Sequence, residues 1–524
     1  RLRYNMKTFI NVAQMKLASL KEGQFVETGG YYTKGDVGQA KYLIVAAQAA
    51  DGYGDHTLAN GTVAVLQVGD VANVREFGAK ANGEDDSDAI QAALDYRFTV
   101  HIPQGLYHIT KALIIRNSQK VYGNATIKIK DGSYTDTNFW MMTNTVKAIP
   151  YDYNPAIAFA QNIRIEGLKF DGNASGASMT GNVGAIFLDQ VDFSTIDKVS
   201  ISNINQGNGG LSAIRVFYCN SITVSDCNIK DTDRQNIASY ESTISILDCN
   251  LINSKEREPI LCSTQNPLQY QASIANISRC EIVNTVTTNG THVLRFSGES
   301  SGSIKNCVIT GNNTLNGVYI VDVADQNIEL QNNTIKNCLY GVHVETESLR
   351  YLRLRGNKYE GCANGIRYDA LSLGGTVQVD GDIIDSTDTP IYVNSVSNAI
   401  IKNCTIQSGV NCSLLGIESL IFSDNIITGL TNASYAVFIN GTAQAKPFVI
   451  GGNMANGNTT DNIRAGCNAI VNGNSARIIT GSTSFIHVSC VGDGYIWSNS
   501  GTMYVRPFGF PSSLTDGTII GTQS

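Results

Sequence analysis

The chain has 524 residues, of which 16% are charged and 42% hydrophobic, with 50 Gly, 9 Pro and a net charge of −7. A soluble domain usually carries about 25% charged residues, and here Asn, Ser, Thr and Gly fill the gap, which excludes a disordered acidic chain and a coiled coil. No apolar run approaches about 18 residues, so no membrane-spanning helix is expected; the opening residues lack a basic-then-apolar pair, so no signal peptide is expected; and the acidic balance gives no basic groove for nucleic acid.

Taken in chain order, residues 1–70 read as a small α+β N-terminal domain, with one amphipathic stretch (VAQMKLASL) and the turn-rich GGYYTKGDVGQAKYLIV. The segment Asn73–Tyr96 comes next as a strand, a Gly/Asn turn and an acidic helix start at Asp85, Asp86 and Ser87. Ala89, Ile90, Ala93 and Leu94 give that helix, near 86–96, one apolar face. Such a helix would shield the first edge of a sheet packed behind it.

The long central region is repetitive. The pattern apolar, x, polar or Gly, then Cys, Asn or Asp, recurs as VSDCNI, ILDCNL, ISRCEI, IKNCVI, LQNNTI, LRGNKY, VDGDII, IKNCTI and FSDNII. Its anchors are Cys227, Cys249, Cys280, Cys307, Asn333, Asn357, Asp382, Cys404 and Asn425. The spacing averages about 25 residues, too short for propeller blades and without the leucine offsets of leucine-rich repeats. Short runs of alternating Ile, Val and Thr separated by turn residues are strand chemistry. The expected architecture is all-β: a parallel β-helix of about 12–13 coils over residues 71–475, with a C-terminal β-rich cap over 476–524. The 12 Cys read as buried, reduced side chains at stacked sites, with Cys and Asn sharing one ladder. No CxxC pair or His cluster points to a metal, and no cofactor is expected.

The segment NVREFGAKANGEDDSDAIQAAL, with IPQGLY shortly after it, resembles the opening motif of the pectate-lyase-like β-helix superfamily. Asn82 stands where that family often has Asp. Upstream, VETGGYYTKGDVGQAKYLIV resembles a segment of bacteriophage tailspikes and capsule depolymerases. The resemblance implies a homotrimeric, right-handed β-helix on the virion, extracellular and assembled in the host cytoplasm. Such a protein attaches to other phage tail or baseplate proteins and binds, and usually cleaves, bacterial O-antigen or capsular polysaccharide.

Alignment of one strand per coil gives AIFLD, AIRVF, GVYIV, GVHVE, GIRYD and PIYVN. Alternation points Ile186, Ile214, Val318, Val342, Ile366 and Ile391 inward. It sends outward Phe187, Arg215, Tyr319, His343, Arg367 and Tyr392 in one column, and Asp189, Phe217, Val321, Glu345, Asp369 and Asn394 in the other. Aromatic rings stack on sugars, while Arg and carboxylates bind hydroxyls. Glu345 and Asp369 on adjacent coils would supply the carboxylate pair of a glycosidase, as acid and as nucleophile or base. Asp322 and Glu347 flank them as substitutes. Tyr319, His343, Arg367, Tyr392 and Arg295 are the candidate sugar-binding residues.

Competing acidic groups are Asp231, Asp233 and Arg234, Glu241, Glu256 and Glu258, and Glu299 with His292 and Arg295. A lyase, with Arg367, His343 and Tyr319 in the leading parts, is the alternative chemistry. A non-catalytic receptor-binding fibre is the alternative of another class.

Overall fold

The computed structural model describes residues 6–134, 138–145, 159–173, 177–179, 182–204, 211–264, 272–286, 292–323, 326–346, 349–432, 434–441, 448–459, 462–465, 469–472, 474, 477–480, 486–489, 496–498 and 503–505. The chain divides into two compact units, Arg1–Ala238 with Ser242–Asn250, and Ser239–Glu241 with Leu251–Ser524. Among the described residues no helix is long and apolar enough to cross a membrane.

The first unit opens on a five-stranded sheet in the order Lys7–Phe9, Phe25–Thr28, Ala40–Val45, Val63–Leu66, His56–Thr57. A short helix, Val12–Lys16, is capped by the Asn11 side chain, which accepts from the Gln14 N–H. The helix Ser87–Tyr96 buries Ala89, Ile90, Ala93 and Leu94. Asp86, at its N-cap, accepts hydrogen bonds from the backbone N–H groups of Lys80 and Ala81. It thereby fixes the turn before the helix rather than the helix's own first turn.

From there the chain winds as a right-handed parallel β-helix. In the first unit the rungs Leu106–Ile109, Thr126–Ile129, Lys169–Asp171, Ser200–Ser202 and Asn228–Thr232 pair in parallel, one per coil. In the second unit the same position runs through Glu281–Val283, Val308–Thr310, Thr334–Lys336, Lys358–Cys362, Ile383–Ser386, Thr405–Gln407 and Ile426–Thr428. Most of the C-terminal region 476–524 lies outside the described residues. Its strands Arg477–Thr480, Ile486–Ser489, Ile496–Ser498 and Met503–Val505 keep the parallel pairing.

The repeat has a local cause. The residue just before each anchor sits in the left-handed region: Asp226 (φ 51°), Asp248 (54°), Arg279 (54°), Asn306 (55°), Asn332 (54°), Asn403 (55°) and Asp424 (57°), with Gly356, Gly381 and Gly452 on other coils. Asn, Asp and Gly tolerate that conformation best, which is why they punctuate the sequence. The anchor then turns inward and its side chain replaces a missing backbone partner. Asn333 Nδ2 donates to the Ile304 carbonyl (2.8 Å), and the Asn333 N–H donates to Asn357 Oδ1 (3.0 Å). Asn357 Nδ2 donates to the Leu330 carbonyl (3.0 Å), and the Asn357 N–H donates to Asp382 Oδ1 (2.8 Å). Asn425, Asn453 and Asn474 repeat the scheme. The ten described cysteines, five of them anchors, are buried thiols.

The ladder can be tested at two of its members. Asn357→Ala strands a buried N–H, amide and carbonyl, and should cost about 2–3 kcal/mol in denaturant unfolding. Asp382 is a carboxyl in an amide's place, and burial pushes its pKa up from 3.8 to about 7. The fold therefore keeps a proton that the unfolded chain has already lost. This stabilisation is complete below about pH 4, declines as the pH rises to about 7 and is then flat, a loss of up to about 4 kcal/mol. Asp382→Asn should raise the melting temperature at pH 8 and flatten the pH 4–7 slope relative to the parent chain.

Candidate functional site

The second unit carries five consecutive parallel rungs: His292–Ser297, Asn316–Val321, Tyr340–Thr346, Asn364–Asp380 and Ile391–Lys402. Their register aligns Arg295, Tyr319, His343, Arg367 and Tyr392 in one column and Ser297, Val321, Glu345, Asp369 and Asn394 in the next. Leu294, Val318, Val342, Ile366 and Ile391 are completely buried behind them. Parallel pairing spaces equivalent residues about 4.8 Å apart, so each column is a continuous line of side chains.

Those side chains are bonded to one another. The Tyr319 hydroxyl donates to Glu345 Oε2 (2.9 Å). Arg367 donates through Nε and Nη2 to Asp369 Oδ2 (2.9 and 2.7 Å), and Asn394 Nδ2 reaches Asp369 Oδ1 (3.4 Å). The Arg367 guanidinium lies 5.0 Å from the Tyr392 ring centroid and 5.4 Å from that of Tyr340. Arg295 stands 6.0 Å from the centroid of Tyr319. Glu345 is exposed, whereas Arg295, Tyr319, His343, Arg367, Asp369 and Tyr392 are half-buried.

Burial, then the Glu345 carboxylate, pushes the Tyr319 phenol up to about 12. It is thus a hydrogen-bond donor at neutral pH. Burial and then the Arg367 charge push the His343 imidazole below its ordinary value, so it is neutral. Asn316 Nδ2 lies 3.0 Å from His292 Nδ1 and 3.4 Å from His343 Nδ1. It donates to both only when each ring carries its proton on Nε2, which leaves Nε2–H as the outer donor.

Asp322 is set apart from the columns. It occupies the left-handed bend after Asn316–Val321 (φ 54°), exposed, and acts on Tyr319 through charge alone. Glu347 lies outside the described residues. Phe187, Asp189, Arg215 and Phe217 have the expected register, Phe187 opposite Arg215 and Asp189 opposite Phe217. They are not an exposed face, however. Phe187 is 2% exposed and Arg215 4%. The Trp140 ring stacks on Phe187 (5.0 Å) and lies against Arg215 (5.7 Å), covering this part of the column. Of the competing acids, Glu241 and Glu258 are buried, Asp233, Glu256 and Glu299 half-buried and Asp231 exposed. His292 joins the patch through its ring, stacked 3.9 Å from Tyr319.

Asn316 and Tyr340 belong to the patch but were not among the expected residues. Strict alternation from Val318 would have turned position 316 inward. Gly317 interrupts that alternation: a Cβ there would stand 2.6 Å from the Gly341 carbonyl and 2.7 Å from Ile335. The recurring NGV, YGV and NGI is the signal that marks the bend. A second irregularity lies beside Asp369. The register passes from Asp369 opposite Asn394 directly to Gly374 opposite Val396, so the residues between form a bulge. Leu371 on that bulge is 77% exposed.

Among the described residues no group of three or more His, Cys, Asp and Glu is placed to hold a metal ion. Replacing Arg367 with Ala should return the titration of His343 toward its ordinary range, because it removes a positive neighbour and part of the burial. Histidine NMR across pH 4–8 measures it.

Residues 71–257 match the family described as rhamnogalacturonase A/epimerase, pectate lyase-like, and residues 212–389 match the right handed beta helix region. No curated protein sequence matches the chain. Similar solved structures include the A-module of a mannuronan C-5 epimerase of Azotobacter vinelandii, with 15% identity over 82% of this chain and 99% of that one, at a TM-score of 0.40. The gp42 tailspike of an Acinetobacter phage has 12% identity over 99% and 79%, with a TM-score of 0.42. An exopolygalacturonase of Yersinia enterocolitica has 12% identity over 96% and 86%, with a TM-score of 0.38. With its stacked parallel coils and these two family matches, the span 71–389 belongs to the pectate-lyase-like superfamily of right-handed β-helices.

Proposed function

We propose that this chain binds and hydrolyses a bacterial surface polysaccharide, O-antigen or capsule, as a phage tailspike. The observation that carries this reading is the hydrogen-bonded patch of Tyr319, His343, Glu345, Arg367, Asp369 and Tyr392 on neighbouring rungs. The tailspike role itself rests on the resemblance of residues 26–45 to phage tailspikes, and it includes a homotrimeric, virion-borne assembly joined to other tail proteins.

Each residue has a part that its surroundings suit. Tyr392 offers a ring to a pyranose, Tyr319, whose ring is stacked on His292, offers its edge and hydroxyl, and His343 offers Nε2–H to a hydroxyl. Glu345, the more accessible carboxyl, faces the leaving oxygen and would protonate it in its acid form. Asp369, held by the Arg367 guanidinium, is the nucleophile or base. Glu345→Gln and Asp369→Asn should each lower the release of reducing ends by about a hundredfold or more while the polysaccharide still binds. Undiminished depolymerisation by both variants overturns the site. Binding without new reducing ends in the parent chain identifies a non-catalytic fibre.

One observation favours a lyase as the second reading. Arg367 stands on the rung beside His343, where its guanidinium can neutralise a uronate, and His343 in the tautomer with Nε2 unprotonated would be the base. Ultraviolet absorbance of an unsaturated product separates elimination from hydrolysis.

A further inference from the structure

The first unit has another line of outward side chains, on the second strand of each coil. His101, Tyr122, Glu166, Asp197 and Ser225 take equivalent places on five successive parallel rungs. The His101 and Tyr122 rings stack with centroids 5.0 Å apart and planes at 27°. Lys120 Nζ sits 4.9 Å from the Tyr122 centroid and 2.8 Å from Glu166 Oε2. Ser225 donates to Asp197 Oδ1 (2.7 Å), and Lys198 Nζ is 3.1 Å from Asp197 Oδ2. A cavity of about 340 Å³ opens over Tyr122, Glu166 and Lys198, bordered by His101 and Asn124. That is the size of a small-ligand site.

Lys198 adds an independent observation. It holds the left-handed bend before its coil's anchor position, with φ 53°, where most neighbouring coils place Asn, Asp or Gly. A lysine is disfavoured there, and its long cationic side chain borders the cavity. Within the lining the Lys198 ammonium is matched by the Glu166 carboxylate, so the lining carries no net charge. It presents the stacked His101–Tyr122 pair beside paired donors and acceptors. That combination suits a molecule with an apolar face and a rim of hydroxyls, and not an anion.

We propose that this cavity binds one uncharged hexose-type residue of a glycan chain. It would be a holding site that shares no residue with the Glu345–Asp369 patch, and it rests on the reading of this chain as a polysaccharide-binding protein. The test uses the full chain and a set of purified bacterial O-polysaccharides and capsular polysaccharides, with affinity measured by calorimetry. The bound polysaccharide should lose roughly tenfold in affinity with Tyr122→Ala, as for an aromatic anchor. It should bind normally to Tyr122→Phe, which keeps the ring and controls for folding. Lys198→Asn suits the bend better and should weaken binding without lowering the melting temperature. Cleavage of short fragments should be unchanged in all three. Equal affinity of Tyr122→Ala and the parent chain, equal weakness of the Phe and Ala variants, or no bound polysaccharide overturns the proposal. If Tyr122→Ala binds normally while Glu345→Gln loses cleavage, the holding site fails and the catalytic reading stands. If Tyr122→Ala weakens binding while Glu345→Gln cleaves normally, the catalytic assignment fails and the holding site stands.

Discussion

Each coil needs one residue at positive φ, then an anchor whose side chain completes the backbone hydrogen bonds of the turn. The bend at Asn332 and the anchor Asn333 show why both parts are required. The left-handed residue swings the chain out of one strand and into the next. The buried amide then supplies the partners that a tight corner withholds from the main chain. Because the anchors from Cys280 to Asn357, and again from Cys404 to Asn453, each bond to the one on the next coil, the corners stay stacked, and stacked corners keep the strands between them in register. Side-chain position across coils is therefore a consequence of the corner, not of contacts within the patch.

That register turns distant sequence into a surface. Tyr319, His343, Arg367 and Tyr392 are 24 or 25 residues apart in the chain and immediate neighbours in space. The strands contribute direction only, apolar side chains behind and polar ones in front. The chemistry comes from what the front positions hold: a phenol kept protonated, an imidazole kept neutral and a guanidinium bound to a carboxylate. In a chain with so few charges, these groups have little competition from surrounding ions, and each finds its partner on its own rung or the next.

The coil architecture and the two columns were readable from sequence because both depend on short-range rules. Anchors recur at a near-constant interval, and strand residues alternate. Two departures have physical reasons. Asn316 and Tyr340 escaped the alternation because Gly317 and Gly341 bend their strands, so the residue before each glycine faces outward too. Phe187 and Arg215 obey the alternation but lie beneath Trp140, which is 47 residues before Phe187 and outside any local pattern. Direction is a local property of a strand, whereas exposure depends on what the rest of the chain lays over it.

The bulge after Asp369 separates length from register. Residues between Asp369 and Gly374 have no partners on the next rung, yet pairing resumes at Gly374 and continues to Asp380 opposite Lys402. The coil thus absorbs extra chain locally and passes none of it onward. A segment of this kind can be lengthened, shortened or rewritten while every ladder above and below it is kept. It sets a leucine-bearing bulge next in the chain to a carboxylate whose own position is fixed, so the contour offered to a ligand and the chemistry beside it are free to change separately.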